Sequence, residues 1–206
     1  MNTYLLPALF AAASLLLAGC LPESNNPLST PANSTIDSRL EGIYAQRREK
    51  NDDELGGWHF HYHGAKAGPN GQPHTTPWLE VLSVSHVKDG GLKGDAYRAL
   101  TTHIGVHDYL SFFELGAGAD KGKATLYSFA RYEVNWAGDL RVWMANSEAF
   151  AQAINSGKLR GTVKHQKTGD DVMLTDSTEN LAAFVAAGDP GTLFSGKPLV
   201  FYRLAR

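Results

Sequence analysis

The sequence is short of cysteine, of net charge and of long apolar segments, and each shortage excludes a class of protein. Its single cysteine, Cys20, leaves no intramolecular disulfide, so packing alone must hold the fold. The formal net charge of −2 in 206 residues argues against a nucleic-acid partner and against a basic patch for acidic membranes. The longest apolar run, over residues 5–17, is shorter than the roughly 20 residues that span a bilayer. The sequence also lacks a P-loop, a dinucleotide-binding glycine fingerprint and a Cys-x-x-Cys pair.

The apolar run leads into Ala18-Gly19-Cys20, where small residues let a peptidase approach the backbone, as at the end of a signal peptide. The segment resembles the processing box of bacterial lipoproteins. The resemblance implies removal of residues 1–19, a diacylglycerol thioether on Cys20 and an acyl chain, such as palmitate, on the freed amine. Because Leu21 rather than Asp follows the cysteine, the resemblance also implies an anchor in the outer membrane, facing the periplasm. The alternative is a cleaved secretory signal with an incidental cysteine.

The remaining chain divides into a short polar segment and one domain. Residues 20–37 are rich in Pro, Ser, Asn and Thr and carry few apolar side chains, which predicts a lipidated flexible tether. Residues 38–206 are then a single domain, long enough to bury a substantial core.

Short strands separated by turn residues fill most of this domain. Period-two alternation predicts about nine strands, of which residues 125–135 and 140–144 form the clearest hairpin. Strands at this spacing predict a mainly β fold, a meander closed into an up-and-down barrel. Closure also removes the exposed sheet edges that promote aggregation.

Two short helices interrupt the strands near the C-terminus. Ser147 can cap the first helix, which ends before Gly157. Asp176 and Glu179 resemble a capping box at the start of the second helix, which ends at Gly188. The apolar stripe of the second helix is Leu181, Phe184 and Val185.

Several segments resemble a lipocalin-like (calycin) barrel. Gly42-Ile43-Tyr44 stands on the first strand where a lipocalin has Gly-x-Trp, and Arg203 on the last strand could pack across that aromatic ring. The segment Arg131-Tyr132-Glu133-Val134 and the helix over residues 177–187 are similar to those of uncharacterised bacterial lipoproteins with such a domain. The resemblance implies an antiparallel up-and-down barrel of eight to nine strands. Such a barrel holds either one small ligand or packed side chains.

Histidines alternate with aromatic residues in Trp58-His59-Phe60-His61-Tyr62-His63, so a strand places the two sets on opposite faces. Two neighbouring imidazoles could share a zinc or copper ion, with a further ligand from the histidine of the proline-rich loop, His74, or from His86 or His103. Alternatively, the histidines line a solvated face while the aromatic side chains fill the core. The reverse facing would turn the histidines into ligand contacts inside a polar cavity.

Arg131 and Glu133 share one face of a predicted strand with Tyr127 and Phe129. If that face is interior, the charged pair could anchor the head group of a ligand. The alternative is an ion pair on the outer face. Glu114, on a neighbouring strand, has the same two readings.

A hydrolytic site is a further hypothesis. His103, His107 and Asp108 cluster around a turn, and Ser111 or Ser128 could act as nucleophile. The sequence contains no Gly-x-Ser-x-Gly elbow, and capping of the turn by Asp108 with a surface imidazole explains the same residues.

The leading hypothesis is therefore a non-catalytic, lipid-anchored protein of the bacterial envelope. Its barrel would bind a small apolar ligand or an envelope partner. Metal binding by the histidine strand is the first alternative, and hydrolysis is the second.

Overall fold

The computed structural model describes residues 21–46, 56–62, 66–67, 73–74, 76–86, 91–116, 125–166 and 169–205. In chain order the strands are β1 (Glu23–Ser24), β2 (Gly42–Gln46), β3 (Gly56–Tyr62), β4 (Lys66–Ala67), β5 (Pro73–His74), β6 (Trp78–His86), β7 (Leu92–Ile104), β8 (His107–Leu115), β9 (Ser128–Val134), β10 (Leu140–Met144), β11 (Gly161–Gln166), β12 (Gly169–Leu174) and β13 (Leu199–Ala205). The helices are α1 (Ser147–Asn155), α2 (Thr178–Ala187) and α3 (Pro190–Leu193), preceded by a 3-10 turn at Ser38–Leu40. None of the helices in these ranges is long and apolar enough to cross a membrane.

Eight of the strands close into an antiparallel barrel, in the order β2-β3-β6-β7-β8-β9-β10-β13, and β13 pairs with β2 to complete the circle. Each barrel strand pairs with the next barrel strand along the chain, which confirms the predicted up-and-down meander. We call the end at which β2 begins and β7 turns into β8 the lower end. The opposite end is the upper end.

The hairpin of β9 and β10 shows how the sequence sets a turn. Leu140 pairs with Val134, and the turn between them contains Gly138 with φ of +90°. The Gly138 amide donates a hydrogen bond to the Asn135 carbonyl at 3.0 Å. A Cβ at Gly138 would lie 2.5 Å from Nε of Arg203, so both the backbone and the available space require glycine.

The barrel interior is one hydrophobic core, formed by alternate residues of the surrounding strands. Its buried members are Leu40, Tyr44, Phe60, Tyr62, Leu79, Val81, Ala99, Leu110, Ala130, Tyr132, Leu140, Val142 and Phe201. Leu40, from the 3-10 turn, closes this core from the lower end.

A second core lies outside the barrel, where the helices pack on the wall of β8 and β9. Tyr109 and Phe129 point outward from these strands, and their ring centroids lie 5.1 Å from Phe194 and 6.2 Å from Phe150 of α1, respectively. The hairpin of β11 and β12 packs against α1, and β1 pairs with β12 in parallel. One side of the barrel wall is therefore covered by a second layer.

Residues 21–37 differ from the flexible tether that the sequence predicts, because they pack along the barrel. Leu28 is buried, and its amide donates to Oγ of Ser111 at 2.9 Å. Ser29 and Thr102 share a buried hydroxyl–hydroxyl hydrogen bond of 2.6 Å. Composition alone misses this docking because the segment is held largely by polar groups that find partners on the strands.

Both predicted helices are present, with caps one residue away from the predicted positions. Asn146 rather than Ser147 caps α1, and Ser177 rather than Asp176 caps α2. Asp176 is buried instead, and it accepts hydrogen bonds from the backbone amide and from Nε of Arg160. The short helix α3 has no counterpart among the predicted elements.

Candidate functional site

Aromatic side chains pack against one another in the space where an eight-stranded barrel could hold a ligand. The ring of Phe60 lies edge-to-face with Tyr44 at 5.2 Å and with Phe201 at 6.0 Å between centroids. Towards the upper end, Trp58 stacks on Tyr97 at 6.4 Å. The inward-facing side chains of the described strands thus pack on one another, which favours a barrel filled by its own side chains over one with an open cavity.

A polar network locks the lower end of the barrel. The carboxylate of Asp37 accepts hydrogen bonds from Nη2 of Arg39 at 2.7 Å and from the Tyr132 hydroxyl at 2.8 Å. The Asp37 amide donates to the Tyr62 hydroxyl at 3.1 Å. Burial raises the pKa of the Asp37 carboxyl, but the hydrogen bonds from Arg39 and Tyr132 outweigh burial, so this pKa lies below its ordinary value. The network ties the segment before β2 to Tyr62 and Tyr132, whose side chains are buried inside the barrel.

Arg203 forms a second lock beside this network. Its guanidinium lies 5.1 Å from the centre of the Tyr44 ring, which confirms the contact predicted between the last strand and the first. Nε donates to the Gly138 carbonyl at 3.1 Å and Nη1 donates to the Glu41 carbonyl at 2.9 Å. Nη2 donates to the Arg39 carbonyl. One side chain therefore joins β13, the β9–β10 turn and the 3-10 turn.

On β3, which carries His59 and His61, the aromatic side chains face the core and the histidines face outward. Phe60 and Tyr62 are buried, whereas His59 and His61 are exposed on the outer face. The two imidazole rings stack at 5.8 Å, and Nδ1 of His61 lies 3.6 Å from Oε1 of Glu41. The hypothesis of ligand contacts inside the barrel is therefore wrong for these two histidines.

The other candidate metal ligands are described only in part. His63 lies outside the described residues, and His74 is described only as part of β5. Within the described part of the chain, no group of three or more His, Cys, Asp or Glu side chains is placed to hold a metal ion. Cys20 also lies outside the described residues.

Arg131 and Glu133 lie on the outer face of the barrel, so their predicted role inside it is wrong. Nη1 of Arg131 lies 2.7 Å from Oε1 of Glu133, and the guanidinium lies 4.1 Å from the centre of the Trp143 ring. The second layer over this wall leaves the Arg131 side chain only 13 % exposed. The alternative of an outer-face ion pair is confirmed.

The histidines proposed for hydrolysis lie at the lower end of the barrel. Nδ1 of His103 and Oδ1 of Asp108 are 2.7 Å apart, and Asp108 also pairs with Arg39. His107 instead packs its ring near Tyr109. The two serines are elsewhere, because Ser111 is buried halfway along β8 and Ser128 lies at the upper end of β9. The structure therefore brings neither proposed nucleophile to the His103–Asp108 pair.

An exposed apolar surface covers the opposite side of the barrel from the helical layer. Ile43 of β2, His59 of β3 and Leu82 of β6 are paired neighbours. Of the five consecutive barrel strands β13, β2, β3, β6 and β7, all except β3 carry large apolar side chains that face solvent and are 45 % to 67 % exposed: Ile43, Leu82, Val84, Leu92, Tyr202 and Leu204. We call these six residues, with the small residues between them, the bare wall. Exposed apolar side chains grouped on neighbouring strands mark an interaction site more often than singly scattered ones do.

The sequence does contain a signal for the bare wall. In β6, Val81 and Leu82 follow each other directly, so one of them must face outward. A strand with one solvated face normally alternates apolar and polar residues, and β6 departs from that rule at Leu82 and Val84.

Comparison with known proteins finds no matching family, no matching curated protein and no matching solved structure.

Proposed function

We propose that this protein is a non-catalytic, lipid-anchored component of the bacterial envelope whose filled barrel binds a protein partner through the bare wall. The observation that carries this proposal is the contrast between the inner and outer faces of three neighbouring strands, β2, β3 and β6. Phe60 of β3 is buried among interior aromatic rings, whereas the outward positions of the neighbouring strands β2 and β6 expose Ile43 and Leu82. A filled interior favours binding at the surface over carriage of a small apolar ligand.

The docked N-terminal segment gives the proposed anchor a specific consequence. Cys20 is three residues before Glu23, which pairs with Met173 of β12. Three extended residues span only about 10 Å. A lipid on Cys20 would therefore hold the barrel close to the membrane, rather than at the end of a long tether. Two or three acyl chains are needed for a durable anchor, because a single chain binds only marginally.

The two alternatives lack a comparable supporting contact. His59 and His61 stack on each other instead of converging with a third described ligand. The His103–Asp108 pair has no proposed serine beside it. Both alternatives remain hypotheses of lower rank.

Membrane fractionation of the Cys20→Ser variant tests the anchor. We expect the parent protein to pellet with membranes and the variant to move to the soluble fraction, because serine cannot form the thioether. Ser14→Ala, a similarly small change within the apolar run, is the matched control and should pellet like the parent. If the Cys20→Ser variant pellets as completely as the parent, the proposed anchor is wrong.

A further inference from the structure

We propose that the three-stranded sheet of β1, β12 and β11 is the membrane-facing side of this protein, so that lipid head groups contact its outer surface and the bare wall points away from the bilayer. This inference rests on the proposed function, because it takes the lipid on Cys20 as given and assigns the surface that this lipid brings against the membrane. Three observations support it: the docking of the residues next to Cys20, the position of β1 relative to the barrel strands, and the polarity of the outer surface of the sheet.

The residues that follow Cys20 are fixed to the folded domain almost at once. Pro22 is buried, and Glu23 pairs with β12. The backbone of Ser24 exchanges two hydrogen bonds of 2.8 Å with that of Tyr127, which directly precedes β9. Three extended residues span only about 10 Å, so the lipid attachment point lies close to the sheet and to the start of β9.

The order of the barrel strands places this attachment point across from the bare wall. In the closed ring of eight strands, β3 stands opposite β9, four positions away in either direction. Strands about 4.8 Å apart and tilted by roughly 40° enclose a barrel about 16 Å across. The short link from Cys20 to β1 cannot carry the lipid around the barrel to β3. A bilayer that holds the lipid therefore meets the side of the molecule that carries β1.

The outer surface of the sheet suits lipid head groups rather than the hydrocarbon interior. Cross-strand pairing places Glu23, Met173 and Thr162 in one row, in which Glu23 and Thr162 are exposed. Lys164 and Asp171 form a further outward pair, and both are exposed. The alternate residues of β12 are buried in the second core instead. Head groups offer polar partners to such a surface, whereas hydrocarbon would remove water from its charges at high cost.

The bare wall is the competing membrane-facing surface, because its apolar side chains would favour contact with the bilayer interior. One flat bilayer cannot touch both surfaces, since they lie on opposite sides of the barrel. Each buried methylene of a lipid chain contributes about 0.8 kcal/mol, so two or three chains outweigh the partial insertion of a curved apolar wall. The lipid therefore decides the orientation, and the bare wall is left open to the proposed protein partner.

Quenching of a fluorophore by lipid head groups tests this orientation. The lipidated full-length protein, purified from membranes, is added to phosphatidylcholine vesicles in which some head groups carry a quencher. Thr162→Cys and Leu82→Cys each supply one free thiol for the fluorophore, because the proposed thioether consumes the only natural thiol. Thr162 is exposed on the sheet and Leu82 is 50 % exposed on the bare wall, so the variants form a matched pair. We expect the fluorophore on the sheet to be quenched several-fold more strongly.

Vesicle flotation of the same samples separates failure of the orientation from failure of the anchor. If both labelled variants float but the fluorophore at Leu82→Cys is quenched as strongly or more strongly, the orientation is wrong while the anchor stands. If neither variant floats with the vesicles, the anchor is wrong, and the orientation that depends on it is overturned as well.

A longer link between the lipid and the sheet tests whether the docked segment sets the orientation. A Gly-Ser insertion of about ten residues between Leu21 and Pro22 leaves residues 18–21 intact and adds a mean reach of about 17 Å. The barrel should then turn freely beside the membrane, so the two fluorophores should be quenched alike while the protein still floats. A difference in quenching that persists with the insertion would contradict the role assigned to the docked segment.

Discussion

Removing the ring of Phe60 should both destabilise the barrel and make its interior accessible to a small apolar molecule. The side chain is 4 % exposed, and its ring lies within 6.4 Å of the rings of Tyr44, Phe201 and Trp58, measured between centroids. Replacement of a buried Phe by Ala costs about 3–5 kcal/mol, since it removes apolar burial and leaves a cavity. With a urea m-value near 2 kcal/mol per molar, the unfolding midpoint should fall by about 2 M.

Urea unfolding and benzene binding are the two assays for Phe60→Ala. An apolar cavity of about 150 Å³ binds benzene, so the variant should gain a site that the parent lacks. His61→Ala is the matched control on the same strand but the opposite face, and its free energy of unfolding should change by no more than about 0.5 kcal/mol. A loss below about 1 kcal/mol for Phe60→Ala, or benzene binding by the parent with equal affinity, would refute the filled interior. If Phe60→Ala does not fold, Phe60→Leu should show the same effects at smaller size.

Two further predictions concern the locks at the lower end. Arg203→Met should lower the free energy of unfolding by about 2–4 kcal/mol, because the carbonyls of Gly138 and Glu41 lose a charged donor. Arg203→Lys should recover only part of this free energy, since lysine lacks the planar, forked donor group of arginine. Full recovery by lysine would contradict the hydrogen bonds described for Arg203. Asp37 has a folded-state pKa below its unfolded value of about 3.9, so its contribution to stability is complete above that pH and is lost as pH falls through the folded-state pKa. The free energy of unfolding should therefore fall less steeply on acidification in Asp37→Asn than in the parent. Urea unfolding between about pH 2 and pH 7, roughly the range over which a carboxylate titrates, measures this. An unchanged dependence of stability on pH would rule out a stabilising role for the Asp37 carboxylate.

The meander and the two main helices follow from local sequence, because each element carries its own signal. The β9–β10 hairpin has a glycine where the turn needs positive φ, and α2 has an apolar stripe at helical spacing. Tyr44 and Arg203 meet as the lipocalin-like pattern implies. These two residues are 159 positions apart, and it is the lipocalin-like resemblance, not the local pattern, that places the last strand beside the first.

The facing of Arg131 and the docking of residues 21–37 depend on contacts between distant parts of the chain. Arg131 is largely enclosed from outside the barrel, where its guanidinium lies over Trp143 of β10 under the helical layer. Leu28 is held through Ser111, 83 residues further along the chain. Neither the period of a strand nor the composition of a segment contains information about such partners.

Native mass spectrometry of the protein extracted from its membrane tests the central claim most directly. We predict a chain that begins at Cys20 and carries covalent diacylglycerol and acyl groups, with no small molecule released from each barrel when the protein is denatured. A stoichiometric apolar molecule that dissociates on denaturation would show that the interior is a ligand site, and the account of a filled barrel acting through its outer wall would be wrong.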